Sequence, residues 1–230
     1  MTSVNVSEVL DQKISAIIVL NAGPLPERLR NFWPRAGLRV CADGGANQLL
    51  RRFGTELVPD AIVGDLDSLE AETKTTWENM GVRVEQVSCQ NSTDLDKCFR
   101  YMKDHGVVEG VTLVVGTLGA QRLDQLMAVI NTCFCMGNVV ILGEECLTLI
   151  FKAGVNCVRF PQWLVDENRC GLIPMFCPVH AVSTTGLKWE LRDEPTRFGF
   201  LVSSSNEVVS QTLTVQTTQP LLFALHHPLL

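Results

Sequence analysis

The sequence lacks the features of membrane, secreted and general nucleic-acid-binding proteins. No stretch approaches the roughly 20 apolar residues of a membrane helix, and the chain does not open with the basic-then-apolar order of a signal peptide. Basic runs are missing too: 19 Lys and Arg against 25 Asp and Glu give a formal net charge of −6. Because general nucleic-acid binding depends on neutralising phosphates, we expect no nucleic-acid partner and no membrane.

Several common motifs are also missing. None of the nine cysteines is spaced C-x-x-C, and the four histidines form no zinc spacing with them. Free thiols among apolar neighbours are typical of a reducing compartment, so we expect a cytoplasmic protein. The chain has neither GxxxxGK[ST] nor GxGxxG. The P-loop and the dinucleotide fingerprint are therefore excluded.

The first two thirds of the chain alternate between two kinds of segment. Short apolar, β-branched runs occupy 15–21, 38–42, 60–64, 82–87, 111–116 and 138–143. Segments with helical spacing occupy 26–35, 44–53, 69–80, 93–105 and 122–136. Continuous apolar strands that alternate with helices predict a parallel sheet covered on both faces, a Rossmann-like α/β domain.

The pattern changes after Phe151. Helical periodicity fades, and short runs rich in Val, Thr, Phe and Trp are broken by Gly, Pro and Asn. The runs lie at 155–160, 170–175, 181–186, 187–192, 198–204, 212–218 and 220–225. This pattern predicts an antiparallel sandwich or barrel. We place the boundary between the two domains near Lys152–Gly154.

Ligands of open parallel sheets bind at the carboxyl ends of strands, so polar residues directly after the apolar runs are candidates. The first case is CADGGANQLL, 41–50. Asp43 follows a strand, and Gly44 and Gly45 open a helix whose free amides suit a phosphate. The alternative is an Asp-Gly turn with Asp43 as the helix N-cap.

The second case is GDLDS, 64–68. The carboxylates of Asp65 and Asp67 can converge on a hard cation if the backbone leaves strand geometry between them, and Gly64 eases such a turn. Mg²⁺ is typically held by one or two carboxylates, waters and substrate phosphates. The alternative is a capped turn in which Asp67 or Ser68 starts the next helix.

The third case is QNSTDLDKC, 90–98. Thr93 is a good N-cap, and Asp94 and Lys97, at i and i+3, can face the same site. The alternative is a capped helix with a surface ion pair of only about 0.3–0.5 kcal/mol.

The fourth case is GTLGAQRLDQ, 116–125. Gly116 and Gly119 follow a strand, and Arg122 and Asp124 open a helix. Arginine suits bidentate contact with phosphate, whereas the alternative is a glycine turn with a helix-end salt bridge. Taken together, the four strand ends indicate a site for a metal-bound polyphosphate.

In this order, the motifs ADGGAN, GDLDS, TDxxK and RxDQ resemble those of the thiamine pyrophosphokinase family. The second half adds CGLIP, STTGLKW and LVSSSN, which resemble its animal members. The resemblance implies an α/β domain at 1–152 that binds ATP and Mg²⁺, and an antiparallel β-sandwich at 153–230 that binds thiamine. It also implies a homodimer that transfers the pyrophosphoryl group of ATP to the thiamine hydroxyl, giving thiamine diphosphate and AMP.

The resemblance assigns roles to individual residues. The residues that it implies for Mg²⁺ are Asp65, Asp67 and Asp94. The further catalytic residues that it implies are Asp43, Lys97, Arg122 and Asp124. The substrate-binding residues that it implies are Gly44, Gly45, Asn47, Gln90, Ser183, Trp189, Ser205 and Asn206, with Trp189 stacking on thiamine, since an aromatic face suits a cation.

Two positions depart from the family pattern. Asn91 stands where relatives usually carry an acidic residue, and Gln121 stands where a glycine is usual. Two other functions therefore stay open: an inactive homologue that binds thiamine or a nucleotide, and a related Mg²⁺-dependent kinase with another substrate. Because Asp65, Asp67, Asp94 and Asp124 all remain, we expect activity.

Overall fold

The structure, a computed structural model, describes residues 2–4, 14–89, 91–117 and 122–227. The chain forms two compact units. The first, the α/β unit, spans residues 13–144, and the second, the β unit, comprises residues 1–12 and 145–230. The N-terminal strand β1, Thr2–Val4, belongs to the β unit, where it pairs with residues 156–158.

The α/β unit is built on parallel strands that lie in the spatial order β7, β6, β2, β3, β4, β5. They are β2 (Ile14–Val19), β3 (Ala36–Ala42), β4 (Ala61–Gly64), β5 (Arg83–Gln86), β6 (Thr112–Val115) and β7 (Val139–Leu142). All residues of β4, β6 and β7 are buried. The predicted parallel sheet is confirmed, and its continuous apolar runs are those of strands covered on both faces.

Helices follow the strands as the sequence predicts. They are α1 (Leu29–Phe32), which continues as a 3₁₀ turn (Trp33–Arg35), α2 (Gly45–Phe53), α3 (Ala71–Asn79), α4 (Asp94–Asp104) and α5 (Leu123–Met136). The apolar residues that recur at helical spacing in α4, Leu95, Cys98, Phe99 and Met102, are buried. Thr93 caps this helix: its Oγ1 accepts from Asp96 N at 3.2 Å, and Asp96 Oδ2 accepts from Thr93 N at 2.9 Å.

The strand order creates a switch point at the centre of the sheet. From β2 the chain runs outward through β3, β4 and β5, then returns to place β6 on the other side of β2. The connections after β2 and β6 therefore leave in opposite directions. A crevice opens at such a point, beyond the carboxyl ends of the strands.

The β unit contains two mostly antiparallel sheets. One has the order β13, β10, β15, β8, and the other the order β1, β9, β14, β11, β12. Their strands are β8 (Cys146–Phe151), β9 (Gly154–Arg159), β10 (Arg169–Ile173), β11 (Val179–Thr185), β12 (Glu194–Thr196), β13 (Ser203–Asn206), β14 (Thr212–Thr217) and β15 (Leu221–His226), with a short helix α6 (Gln162–Val165). Phe160, just after β9, lies 6.1 Å from Phe223 of β15 between ring centroids, so the two sheets share a core. The sandwich prediction is confirmed.

Two predicted strands differ from the structure: the first is a turn, and the second begins later than predicted. Within 187–192, only Leu187 forms a β-bridge, and this is an isolated bridge to Val208. The backbone leaves strand geometry there because the Glu190 carboxylate accepts from Gly186 N and Leu187 N. In 198–204 the strand begins only at Ser203.

Strand β8 explains where the units divide. The sequence placed the boundary at 152–153, whereas the β unit begins at Glu145. Residues 146–151 pair along their whole length with 221–226 at the other end of the chain. Because of this pairing, the boundary lies on the N-terminal side of β8. The sequence does not show it, since an apolar run of this length does not reveal its partner. No helix among the described residues is long and apolar enough to cross a membrane.

Candidate active site

Three aspartates from three different segments of the chain converge at the carboxyl edge of the parallel sheet. Asp43 follows β3, Asp65 follows β4 and Asp94 opens α4. One carboxylate oxygen from each lies within 4.8 Å of the other two. Since parallel strands deliver their ends to one edge, residues far apart in sequence meet here.

Asp43 is held deep in this edge. It has a left-handed backbone, with φ 44°, and its side chain is buried. Its Oδ2 accepts from Ser68 N at 3.1 Å. Asp43 is not a helix cap, because Gly44 occupies the N-cap position of α2 and no side chain caps this helix. The alternative in which Asp43 caps the helix is therefore wrong.

Asp65 and Asp67 separate after β4. Leu66, between them, has φ 67°, which is the departure from strand geometry that the sequence analysis required. Asp65 belongs to the three-carboxylate group. Asp67 is exposed, and its Oδ1 accepts from Ser68 Oγ at 2.9 Å. Its carboxylate still lies near enough to raise the pKa of Asp43.

Asn47 braces the same loop. Its Nδ2 donates to Ser68 O at 2.8 Å, and its Oδ1 accepts from Glu70 N at 3.1 Å. Its side chain is buried. The residue that the family resemblance assigned to substrate therefore ties helix α2 to the loop that carries Asp65 and Asp67.

Lys97 supplies the positive charge of the cluster. Its Nζ lies 2.8 Å from Asp94 Oδ1 and 3.3 Å from Asp65 Oδ2, and its side chain is only 2% exposed. Burial alone would lower the pKa of Lys97, but the hydrogen bonds and charges of Asp94 and Asp65 outweigh burial and raise it. The lysine is therefore an ammonium that links two of the three carboxylates.

Asp43 has no such partner. Burial raises the pKa of Asp43 to about 6, against the hydrogen bond from Ser68 N, and the negative charges of Asp94 and Asp67 add to the rise. Its buried Oδ1 has no hydrogen-bond partner among the described residues. A buried carboxylate oxygen without a partner is costly, and a bound cation would remove that cost.

Glycines allow this close packing. A Cβ on Gly64 would lie 2.7 Å from Asp43 Cβ and 3.3 Å from Asp94 Oδ1. A Cβ on Gly44 would lie 2.4 Å from Asn21 Nδ2. The distances of 2.7 Å and 2.4 Å are shorter than real Cβ contacts, so a larger residue at either position would push the carboxylates or the neighbouring loop apart.

A cavity of about 310 Å³ opens beside the carboxylates at the switch point. It includes two polar residues that the sequence analysis missed, Asn21 and Gln125. Asn21 is the polar residue that ends the apolar run of β2. The search for polar residues at the carboxyl ends of strands could therefore have found it. Gln125 follows Asp124 within a motif already noted. The other lining residues are Leu20, Ala22, Ala42, Asp43, Gly44, Ser68, Thr93, Asp94, Leu95, Ala128 and Val129.

Arg122 and Asp124 pair with each other on the surface. Arg122 Nη2 lies 2.5 Å from Asp124 Oδ2, and the side chains are 72% and 65% exposed. This hydrogen bond raises the pKa of Arg122 and lowers the pKa of Asp124. Neither residue lines the cavity. Gln90, Gly119 and Gln121 lie outside the described residues, and Asn91 is exposed.

The last four of the implied substrate-binding residues, Ser183, Trp189, Ser205 and Asn206, all lie in the β unit. Trp189 is 54% exposed in the loop after β11. Ser205, with φ 57°, is exposed, and Ser183 Oγ accepts from Asp193 N at 3.0 Å. Asn206 is buried at the end of β13 and contacts the main chain of Trp189.

A parallel sheet with a cavity and a group of carboxylates at its switch point is an arrangement typical of nucleotide-binding enzymes. Two family models match the chain: "Thiamin pyrophosphokinase, catalytic domain" over residues 29–141 and "Thiamin pyrophosphokinase, vitamin B1 binding domain" over residues 156–222. The chain belongs to the thiamin pyrophosphokinase family.

Individual relatives agree. Thiamine pyrophosphokinase 2 of Oryza sativa subsp. japonica is 33% identical over 229 residues, which cover 91% of this chain and 85% of the relative. Thiamine pyrophosphokinase 1 of the same species is 34% identical, with 91% and 86% covered. The solved structure of thiamin pyrophosphokinase from Candida albicans superposes with a TM-score of 0.86 at 23% identity, covering 98% of this chain and 93% of that one. The predicted family, fold and enzyme class, a transferase of the kinase type, are confirmed.

Proposed function

We propose that this chain transfers the pyrophosphoryl group of ATP to the hydroxyl of thiamine, with Mg²⁺ bound by the carboxylate cluster. The observation that carries the proposal is the convergence of Asp43, Asp65 and Asp94 beside a cavity at the sheet edge. Family membership supplies the substrates: the relatives are named thiamine pyrophosphokinases.

The donor set suits Mg²⁺. All of its ligand atoms are carboxylate oxygens, which hard divalent cations prefer. The buried Asp43 Oδ1, without a hydrogen-bond partner among the described residues, is a ready ligand. Asp65 and Asp94 would complete the protein ligands, with Asp67 next to them. When bound, Mg²⁺ would neutralise polyphosphate charge in an otherwise acidic protein.

The protein's own groups align the phosphates. The ammonium of Lys97 stays charged and fixed between Asp94 and Asp65, so it can stabilise negative charge that develops on the transferred group. The first turn of α2, opened by Gly44 and Gly45, offers backbone N–H groups. Arg122 can give up its exposed ion pair with Asp124 and bind a phosphate instead, since arginine binds phosphate in a bidentate manner. Such transfers depend on alignment and charge neutralisation.

In the β unit, the exposed indole of Trp189 would stack on thiamine, and Ser183 and Ser205 would lie nearby. The homodimer that the family resemblance implies, and the cytoplasmic location expected from the free cysteines, remain part of this proposal. Light scattering at several protein concentrations tests the dimer, and a monomer at micromolar concentration would contradict it.

The proposal is tested by incubating the purified protein with Mg·ATP and thiamine and measuring AMP and thiamine diphosphate. Equal amounts of both, dependent on Mg²⁺, are expected. Thiamine binding by calorimetry without either product would instead indicate an inactive homologue. In that case Asn91→Asp with Gln121→Gly should restore turnover. Release of ADP would indicate single phosphoryl transfer.

A further inference from the structure

The loop that carries Trp189 is held by side-chain hydrogen bonds, although the ring itself is exposed. The indole is 54% exposed. Both main-chain polar groups of Trp189 are nevertheless bound by a single side chain: Trp189 N donates to Asn206 Oδ1 at 3.1 Å, and Trp189 O accepts from Asn206 Nδ2 at 2.8 Å. Such a two-point bond fixes the peptide plane on each side of the residue and hence the direction of its side chain.

Asn206 is nearly buried and its amide oxygen is fully used, which leaves one Nδ2 hydrogen without a bond among the described residues. Its side chain is only 3% exposed. Besides Trp189 N, its Oδ1 also accepts from Glu207 N at 2.8 Å. An amide oxygen has two lone pairs, so both are taken by main-chain donors. The role of ligand contact, which the family resemblance implied, does not fit this geometry.

A second side chain holds the other end of the loop. Glu190 Oε1 accepts from Gly186 N at 2.8 Å and from Leu187 N at 3.2 Å. Its Oε2 accepts from Thr184 Oγ1 at 2.7 Å. The loop of Trp189 is therefore held by the side chains of Asn206 and Glu190, and it takes its shape without a ligand. Such preorganisation lowers the entropic cost of binding.

One face of the ring is already covered. Lys188 Nζ lies 4.7 Å from the centroid of the indole. Glu207 Oε2 holds that ammonium at 2.9 Å. The hydrogen bond that Glu207 N donates to Asn206 Oδ1 thus belongs to the same arrangement. A ligand would stack on the opposite face of Trp189.

We propose that Asn206 is a positioning residue that orients Trp189 for thiamine, through the main chain of the tryptophan, and does not itself contact the substrate. This inference rests on the proposed function, because it takes thiamine as the ligand of Trp189. It predicts a specific kinetic effect: loss of Asn206 weakens the binding of thiamine and leaves the binding of ATP unchanged.

The test compares Asn206→Ala and Asn206→Asp with a matched control, Asn156→Ala. Asn156 is also a buried asparagine of the β unit, 3% exposed. It also binds main chain through both amide atoms, with Nδ2 donating to Lys152 O at 2.8 Å and Oδ1 accepting from Lys152 N at 3.3 Å. Asn206→Asp keeps the acceptors but places an oxygen against Trp189 O. All variants are checked for folding by thermal melting.

We expect both Asn206 variants to raise the calorimetric Kd and the KM for thiamine by at least about 10-fold, with KM for ATP unchanged. Asn156→Ala should lose comparable stability without changing either KM. Thiamine constants that stay at the wild-type value in either folded Asn206 variant, or that rise equally in Asn156→Ala, would overturn the inference. A wild-type protein that neither binds nor converts thiamine would instead refute the proposed function.

Discussion

Lys97 Nζ lies 2.8 Å from Asp94 Oδ1 in an ion pair whose two ends differ in access to solvent. The lysine side chain is 2% exposed and the aspartate 35%. The ammonium is thus embedded in the protein, whereas the carboxylate faces the cavity. A fixed cation behind a solvent-facing carboxylate is suited to stabilising anionic substrates without rearrangement.

Lys97→Met should reduce turnover by at least about 100-fold, because it removes the buried ammonium from the proposed phosphate site. It should also lower the free energy of unfolding by about 2 kcal/mol, since Asp94 and Asp65 lose their partner. Steady-state kinetics and urea denaturation measure the two effects. Lys103→Met, on the exposed side of the same helix, is the control. Similar kinetics for both variants would show that Lys97 is structural only.

The aspartates should differ in their Mg²⁺ requirement. Asp65→Asn and Asp94→Asn each remove a member of the three-carboxylate group and should raise the Mg²⁺ concentration for half-maximal rate by at least about 10-fold. Asp67→Asn, which alters an exposed carboxylate next to the group, should have a smaller effect. Titrations of rate against Mg²⁺ give the order, with Asp104→Asn as an exposed control on α4. A larger effect from Asp67→Asn would place the metal toward the outer loop.

Gly64→Ala should separate the carboxylates without adding or removing charge. The new methyl group would lie 2.7 Å from Asp43 Cβ. Turnover should fall by at least about 10-fold, because displacing the proposed metal ligands would misalign the phosphates of ATP. Gly37→Ala is the control, since its Cβ would meet Ser15 O at 3.0 Å at the other end of β3, away from the cluster. Equal losses in the two variants would indicate general destabilisation of the sheet.

In the metal-free protein, stability should fall as pH rises through about 6, because the pKa of Asp43 is raised from 3.8 to about 6, chiefly by burial. The folded state holds this proton more tightly than the unfolded chain. The contribution is therefore complete below the unfolded pKa and is lost above the folded pKa. It amounts to about 3 kcal/mol at most. Asp43→Asn mimics the protonated form at every pH and should therefore remove this part of the pH dependence of stability.

The measurement is urea denaturation at pH 4 and pH 7.5 in the presence of a chelator. The free energy of unfolding at pH 4 minus that at pH 7.5 should be smaller in Asp43→Asn than in the wild-type protein. If the two proteins show the same pH dependence, Asp43 ionises in the folded state as it does in the unfolded chain.

Much of the α/β unit could be predicted because its signals are local. Each buried parallel strand is a continuous apolar run, and the cap and apolar face of α4 can be read from a few neighbouring residues. The convergence of Asp43, Asp65 and Asp94 followed from strand ends meeting at one edge. The roles of Asn47 and Asp67 did not follow, because side-chain direction in a turn depends on partners far along the chain, such as Ser68 O for Asn47.

The β unit was harder to predict for the same reason. Strand β8 pairs with β15, about 75 positions away, and the sequence shows no sign of this partner. The loop of Trp189 looked like a strand because Lys188, Trp189 and Glu190 alternate in polarity. The Glu190 side chain instead accepts hydrogen bonds from backbone N–H groups that a strand would use, an interaction that pattern alone does not reveal.

The most direct test of the central claim is to follow the β-phosphorus of ATP. Purified protein, Mg²⁺, thiamine and ATP labelled at the β-phosphorus are incubated and analysed for labelled products, with Asp65→Asn as the low-activity control. Transfer of the pyrophosphoryl group predicts the label in thiamine diphosphate, together with unlabelled AMP in equal amount. Label found in ADP, or no labelled thiamine diphosphate above the Asp65→Asn control, would contradict the account.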